Sequence, residues 1–166
     1  MQYIAQPEYW LRGPVDHVPV LLQPVAHALL QVRAEVNILM EDFPEAKLWL
    51  RIAGLASPGF HLQHIRGVID RLFTYARGEA LNEKQLEHLK EEGKNETVSL
   101  QELLAGLNAQ VERALDQLGK TGPGLLTDIR YVGRKQIPTT VTGLFSHAAE
   151  HSMRHLGQLL VTIRVI

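Results

Sequence analysis

SHAAEHSMRHLGQLL, residues 146–160, carries His147, His151 and His155, three of the eight histidines in the chain. It reads as the middle of a final helix from about Thr139 to Arg164. Four places along a helix a side chain is rotated by about 40° and raised by about 6 Å. The three imidazoles therefore climb one face, a turn apart. His151 and His155 project side by side and can grip one metal ion together, in the i, i+4 geometry that HExxH zinc sites use. His147 stands one turn earlier. Glu150 and Arg154 lie roughly 100° away and form an i, i+4 ion pair suited to a solvated face, which turns the histidines inward. Two ligands on one helix do not make a tight site. A third must come from a facing helix, so this stretch asks for helix-on-helix packing.

Three more long helical patterns precede it. From Val18 to Met40 the residues Leu21, Leu22, Val25, Leu29, Val32, Val36 and Leu39 recur at helical spacing. Pro19 suits a first turn, Pro24 starts or kinks the helix, and Pro44 closes it. Ser57-Pro58 is a helix start, with the hydroxyl at the N-cap and proline at the first helical position. That helix runs to Arg77, stops at Gly78, and carries the stripe Ile65, Val68, Ile69, Leu72, Phe73 and Ala76. Residues 81–97, LNEKQLEHLKEEGKNET, are charged and predict an exposed short helix and loop. Ser99 with Glu102 forms a capping box. It opens a helix with Leu103, Leu107, Val111, Leu115 and Leu118 on one face, ending at Gly119. Residues 120–138 hold Gly122, Gly124, Gly133, Pro123 and Pro138 and predict a long loop, with a short hairpin in YVGRKQIP. Residues 1–16 read as an irregular arm. Four long helices without convincing alternating strands predict an all-α four-helix bundle, one domain over residues 1–166, with an extra short helix. The links 43–56 and 120–138 are longer than a bundle needs, and the second is the expected cover of a site.

The helix from 57 to 77 offers His61 and His64, both toward the side that enters the core. Three imidazoles without thiolates suit Zn²⁺, Ni²⁺, Fe²⁺ or Cu²⁺ and leave positions for water or substrate, the mark of a catalytic rather than a structural site. By position alone His61 competes with His64, and His147 with its neighbours. His27 and Glu35 in the first helix either line the same cavity or simply break a helix stripe.

GFHLQHIRGVIDRLFTYARG at 59–78, IPTTV at 137–141 and LFSHAAEHSMRHLGQL at 144–159 resemble the DinB/YfiT-like superfamily of metal-dependent proteins. Its members carry one histidine in the second helix, in an HI or HV step, and HxxxH in the last, commonly followed by GQ. The matching residues are His64 in HLQHI and His151 with His155 in EHSMRHLGQ. The resemblance runs from the first helix to the end of the chain. It implies a DinB-like up-down-down-up bundle and often a homodimer. It also implies a divalent metal on His64, His151 and His155: zinc or nickel, with iron as the further option. Some members are S-transferases or isomerases that use bacillithiol, mycothiol or glutathione. His61 and His147 are left as candidate catalytic bases. Gln158, on the same face as the pair, is expected to hydrogen-bond behind the ligands.

Composition excludes other classes. Net charge is −1, so there is no electrostatic footprint for nucleic acid or an anionic membrane. Cysteine is absent, so any thiol must arrive as a cofactor. Hydrophobic residues make up 45%, enough for a core, but no apolar run reaches a membrane span. MQYIAQPEYWLRGP lacks the apolar centre of a signal peptide, which leaves the cytoplasm as the expected location. Two functions are expected. One is a metal-dependent enzyme, a thiol S-transferase or isomerase acting on an electrophilic small molecule. The alternative is a non-catalytic metal-binding or stress-response module. An enzyme holding a carboxylate-rich thiol would need basic residues at the rim, for which Arg66, Arg71, Arg130, Arg134 and Lys135 are available.

Overall fold

Proline and capping chemistry starts the helices. The computed structural model describes residues 6–94 and 96–166. Residues 1–5 of the expected arm, and Asn95 of the charged run, lie outside the described residues. The helices are α1 (Gln23–Met40), α2 (Pro58–Ala76), α3 (Glu83–Glu91), α4 (Leu100–Lys120) and α5 (Val141–Val165), with strands β1 (Ile129–Val132) and β2 (Ile137–Thr140) before α5. Ser57 caps α2 by accepting from the Phe60 amide, and Ser99 and Glu102 close their capping box on α4. Gly78, at φ +81°, follows α2 as its stop.

Boundaries shift for local reasons. The first helix was expected from Val18, but Val20–Leu22 is a 3₁₀ turn and α1 begins at Gln23. Pro24 cannot donate to the carbonyl of Val20, and its ring crowds it, so the α-helix starts there. Pro44 heads the short turn Glu45–Lys47 instead of closing α1, which ends at Met40. The helix expected to end at Gly119 runs on to Lys120.

α1 and α2 each pack against both α4 and α5, with the α2–α5 contact the most extensive. Phe73 meets Phe145 with ring centroids 4.7 Å apart, His64 meets His151, and His61 meets His155. Rising numbers on α5 pair with falling numbers on α2, so these two helices run antiparallel. The fully buried core includes Leu29, Met40, Leu62, Ile65, Ile69, Phe73, Leu107, Leu118, Phe145 and Leu159, drawn from all four long helices. Each such side chain stabilises the fold by roughly 1.5–3 kcal/mol relative to exposure. No helix among the described residues is long and apolar enough to cross a membrane.

Three connections depart from expectation. The hairpin forms, antiparallel with Ile129 opposite Thr140, but it does not cover the histidines. Arg130 Nε donates to Ala76 O at 3.0 Å, and the Val141 amide donates to Asp128 O at 3.1 Å. The hairpin is thus fixed to the end of α2, about 18 Å of helix rise from His64. Arg130, Arg134 and Lys135 go with it and cannot form a rim for the histidines. His27 and Glu35 serve the N-terminal arm rather than a cavity. His27 Nε2 lies 3.0 Å from Gly13 O, and Glu35 accepts from Gln31 Nε2, whose Oε1 holds the Tyr9 amide.

The run 81–97 is only partly the exposed segment expected. Asn82 and Gln85 cap α3, and buried Gln85 donates to Asp70 Oδ2 and Thr74 Oγ1, both at 2.8 Å. Glu92 and Gly93 then fold back onto α2. The Gly93 amide donates to Gln63 Oε1 at 2.8 Å, and its carbonyl accepts from Arg51.

Candidate metal centre

The cap at Ser57 sets the register of α2, so His61 and His64 face α5 within its first two turns. Thr140 caps α5 through the Gly143 amide and sets the register that turns His151 and His155 back toward them. His64, His151 and His155 each offer a ring nitrogen, and the three atoms lie within 4.8 Å of one another. His64 Nε2 is 2.9 Å from His151 Nε2.

Glu92 decides what that contact can be. Its Oε2 lies 2.7 Å from His64 Nδ1, and its Oε1 accepts from Arg71 Nη1 at 2.5 Å. The Glu92 and Arg71 side chains are only 9% and 10% exposed. Burial works to raise the Glu92 pKa, but the hydrogen bonds from His64 and Arg71 outweigh it and hold the carboxyl below its ordinary range. An ionised carboxylate only accepts, so Nδ1 of His64 carries a proton, and a ring holding that one proton presents a bare Nε2 to His151. This is the carboxylate–histidine support typical of metal ligands.

The rings around His64 are held in the neutral form at pH 7. Burial, reinforced by repulsion from the surrounding imidazoles, pulls His155 down to about 4. Burial and His64 bring His61 to about 4, and burial first of all lowers His151. Neutral imidazoles have lone pairs to give. Two nitrogens sharing a tetrahedral ion with bonds of about 2.1 Å would stand about 3.4 Å apart, wider than the 2.9 Å hydrogen-bond separation of His64 and His151 and inside the 4.8 Å that spans all three ring nitrogens. Nδ1 of His151 is buried without a hydrogen-bond partner among the described residues. The donor set, the support of His64 and the spacing fit one divalent ion.

The other sequence candidates separate. His61 lies outside the converging group, buried, with Nδ1 3.1 Å from His155 Nδ1. His147 is exposed, 3.5 Å from Glu150 Oε2; with His151 these two form a second, more open group. Gln158 does not take the supporting role expected of it. It is exposed, on the opposite side of α5 from the buried Leu156. Glu92 supplies that hydrogen bond instead.

Sequence reasoning also missed Phe60. Its ring stacks on His64 at 5.2 Å and 14°, and Gly93 packs closely enough that a Cβ there would overlap the same ring. The signal for Glu92 was Gly67, a glycine inside a helix and one turn from His64. A Cβ there would overlap Glu92 Oε1 and Arg71 Nη1.

A pH dependence follows from the buried pair. His61 and His155 have folded values near 4, below the value of about 6.5 in an unfolded chain. As pH falls through this window the unfolded chain takes protons first, so stability is full above 6.5 and lost toward 4. After discounting for the partial exposure of His155, the coupled pair is expected to cost about 2 kcal/mol, or about 6 °C. Thermal melts of chelated protein between about pH 7 and 5 will show this slope, and His61→Gln will flatten it. A melting temperature constant over that range in the parent protein would contradict the neutral-histidine assignment.

Residues 28–159, most of the chain and all three converging histidines, match the DinB superfamily. Among solved structures, a protein from Streptococcus pneumoniae superposes with a TM-score of 0.63 at 16% identity, covering 84% of this chain and 86% of that one. At that identity it supports the fold alone. No curated protein matches. The family match and the shared helical architecture agree: the chain belongs to the DinB superfamily.

Proposed function

We propose that the protein is a metal-dependent enzyme, a thiol S-transferase or isomerase, that joins a low-molecular-weight thiol through its sulfur to an electrophilic small molecule or uses the thiol to isomerise it. His64, His151 and His155 would hold one divalent ion: zinc or nickel, with iron as the further option. The observation that carries this reading is the hydrogen bond from His64 Nδ1 to Glu92, which leaves Nε2 bare and aimed at His151. A divalent ion at this place supplies a Lewis acid that lowers the pKa of a bound water or thiol toward neutrality. Glu92 orients His64, and Phe60 shields that ring from water. His61 Nδ1 lies 3.1 Å from His155 Nδ1, so a hydrogen bond between the two rings holds His155 in place. His147 is the candidate base at the exposed end of the cluster. A cytoplasmic homodimer belongs to the same reading, and its up-down-down-up helix order is supported by the family and by the packing of α1 and α2 on both α4 and α5.

One observation favours the alternative, a non-catalytic metal-binding or stress-response module. His61 stands beside His155 as a fourth imidazole that could close the coordination sphere. Cobalt-substituted protein mixed with glutathione, bacillithiol and mycothiol separates the two. The enzyme reading expects a sulfur-to-cobalt charge-transfer band with one thiol, abolished in His155→Ala. If no thiol produces a band at millimolar concentration, the module is the better description.

A further inference from the structure

On the side of Glu92 away from His64, a cleft of about 300 Å³ opens between α2, α3 and α4. That volume suits a small molecule. Arg66, Arg71 and Arg113 line it, with Lys84 and His88 from α3.

The charges in this cleft are unevenly satisfied. Arg71 is paired with Glu92, whose other oxygen is taken by His64. Asp70 accepts from Gln85 and offsets one further cation, while Glu91 is exposed at the edge. Among the described residues Arg113 donates to the neutral amide of buried Gln110 and has no carboxylate partner. Arg66 is half-buried and has no hydrogen-bond or ion-pair partner among the described residues. A half-buried guanidinium with its donors unspent is a group waiting for an acceptor.

The walls are shaped to hold these groups. A Cβ at Gly106, in the middle of α4, would lie 2.8 Å from Arg66 Nη1 and 3.2 Å from its Cζ. The Arg66 guanidinium therefore lies against α4 where residue 106 has no side chain, and a methyl group there would make it shift. Gly67 does the same for the Arg71–Glu92 pair on α2. Glycine is the worst helix former after proline, yet two helices carry one in their interiors where a cleft cation lies.

We propose that this cleft is a second binding site, for a small multivalent anion held by Arg66 and Arg113. Planar guanidinium forks suit both carboxylate and phosphate oxygens. The site is separate from the histidine cluster and does not depend on the metal reading.

Titration calorimetry on chelated protein will test it, with citrate as the carboxylate probe, pyrophosphate as the phosphate probe and acetate as the monovalent control. One multivalent probe is expected to bind more tightly than acetate, and more weakly as salt rises. Arg66→Gln and Arg113→Gln are each expected to weaken it by about 10-fold or more, since each removes charged hydrogen bonds. Gly106→Ala, which displaces the guanidinium without removing it, should weaken binding in the same direction while circular dichroism is unchanged. Binding should persist in His151→Ala. The proposal is overturned if neither multivalent probe outbinds acetate, if Arg66→Gln binds as well as the parent, or if His151→Ala abolishes binding, which would place the anion at the histidines.

Discussion

Replacing His151 with alanine is expected to abolish the proposed binding of a divalent ion and to leave the helices intact. His151 stands 2.9 Å from the bare nitrogen of His64 and one turn from His155, so it is the middle member of the converging group. Removing it leaves two imidazoles on different helices, too few for a tight site. Because loss of a supporting residue alone costs 10–100-fold, loss of a ligand is expected to weaken binding by about 100-fold or more. Elemental analysis of protein purified without a nickel column will then fall from about one ion per chain to a trace. Full metal content in the variant would sink the ligand assignment. The helices will survive because the core is elsewhere: Phe73, Phe145, Leu29, Leu107 and Leu159 are buried from all four long helices with no histidine among them. Chelating the parent protein should lower its melting temperature only by the binding linkage. Complete loss of helical circular dichroism on adding chelator would instead show a metal that folds the chain, as in a zinc finger.

Much of this centre could be read from local pattern, and the part that could not depends on long-range folding. The i, i+4 spacing of His151 and His155 fixes their common face on any helix, and Ser57-Pro58 fixes where α2 begins and hence which way His64 points. Capping boxes work at the same short range, as Ser99 with Glu102 shows. Glu92 is different. It sits among several carboxylates in LNEKQLEHLKEEGKNET, and no local pattern marks one of them as buried. Its place follows from Asn82 and Gln85 capping α3, Gln85 tying α3 to Asp70 and Thr74, and Gly93 bonding to Gln63. The misplaced cover has a similar cause. The length and glycines of 120–138 announce a feature, but the end of the bundle it joins is set by the antiparallel pairing of α2 with α5.

Glu92→Gln is expected to weaken metal binding by about 10–100-fold, the usual cost of losing a residue that orients a ligand. A glutamine offers one acceptor where the carboxylate offers two, so it cannot hold His64 Nδ1 and Arg71 Nη1 together. The same change will cost about 2 kcal/mol of stability, because Arg71, only 10% exposed, loses its counter-charge. Those two effects must be separated, since a loosened fold could weaken any site. Adding Arg71→Met to Glu92→Gln removes the stranded cation and should restore stability. Metal affinity should stay low, because His64 still lacks the carboxylate that fixes its tautomer. Gly67→Ala approaches the same point from the helix. The new methyl group would push Glu92 and Arg71 off α2, while alanine gains about 1 kcal/mol of helix propensity. It should therefore lose metal affinity by about 10-fold with little change in melting temperature. Metal titrations and thermal melts on the four proteins decide the matter. If affinity returns with stability in the double variant, and Gly67→Ala binds metal like the parent, then Glu92 only supports the fold and His64 needs no orienting partner.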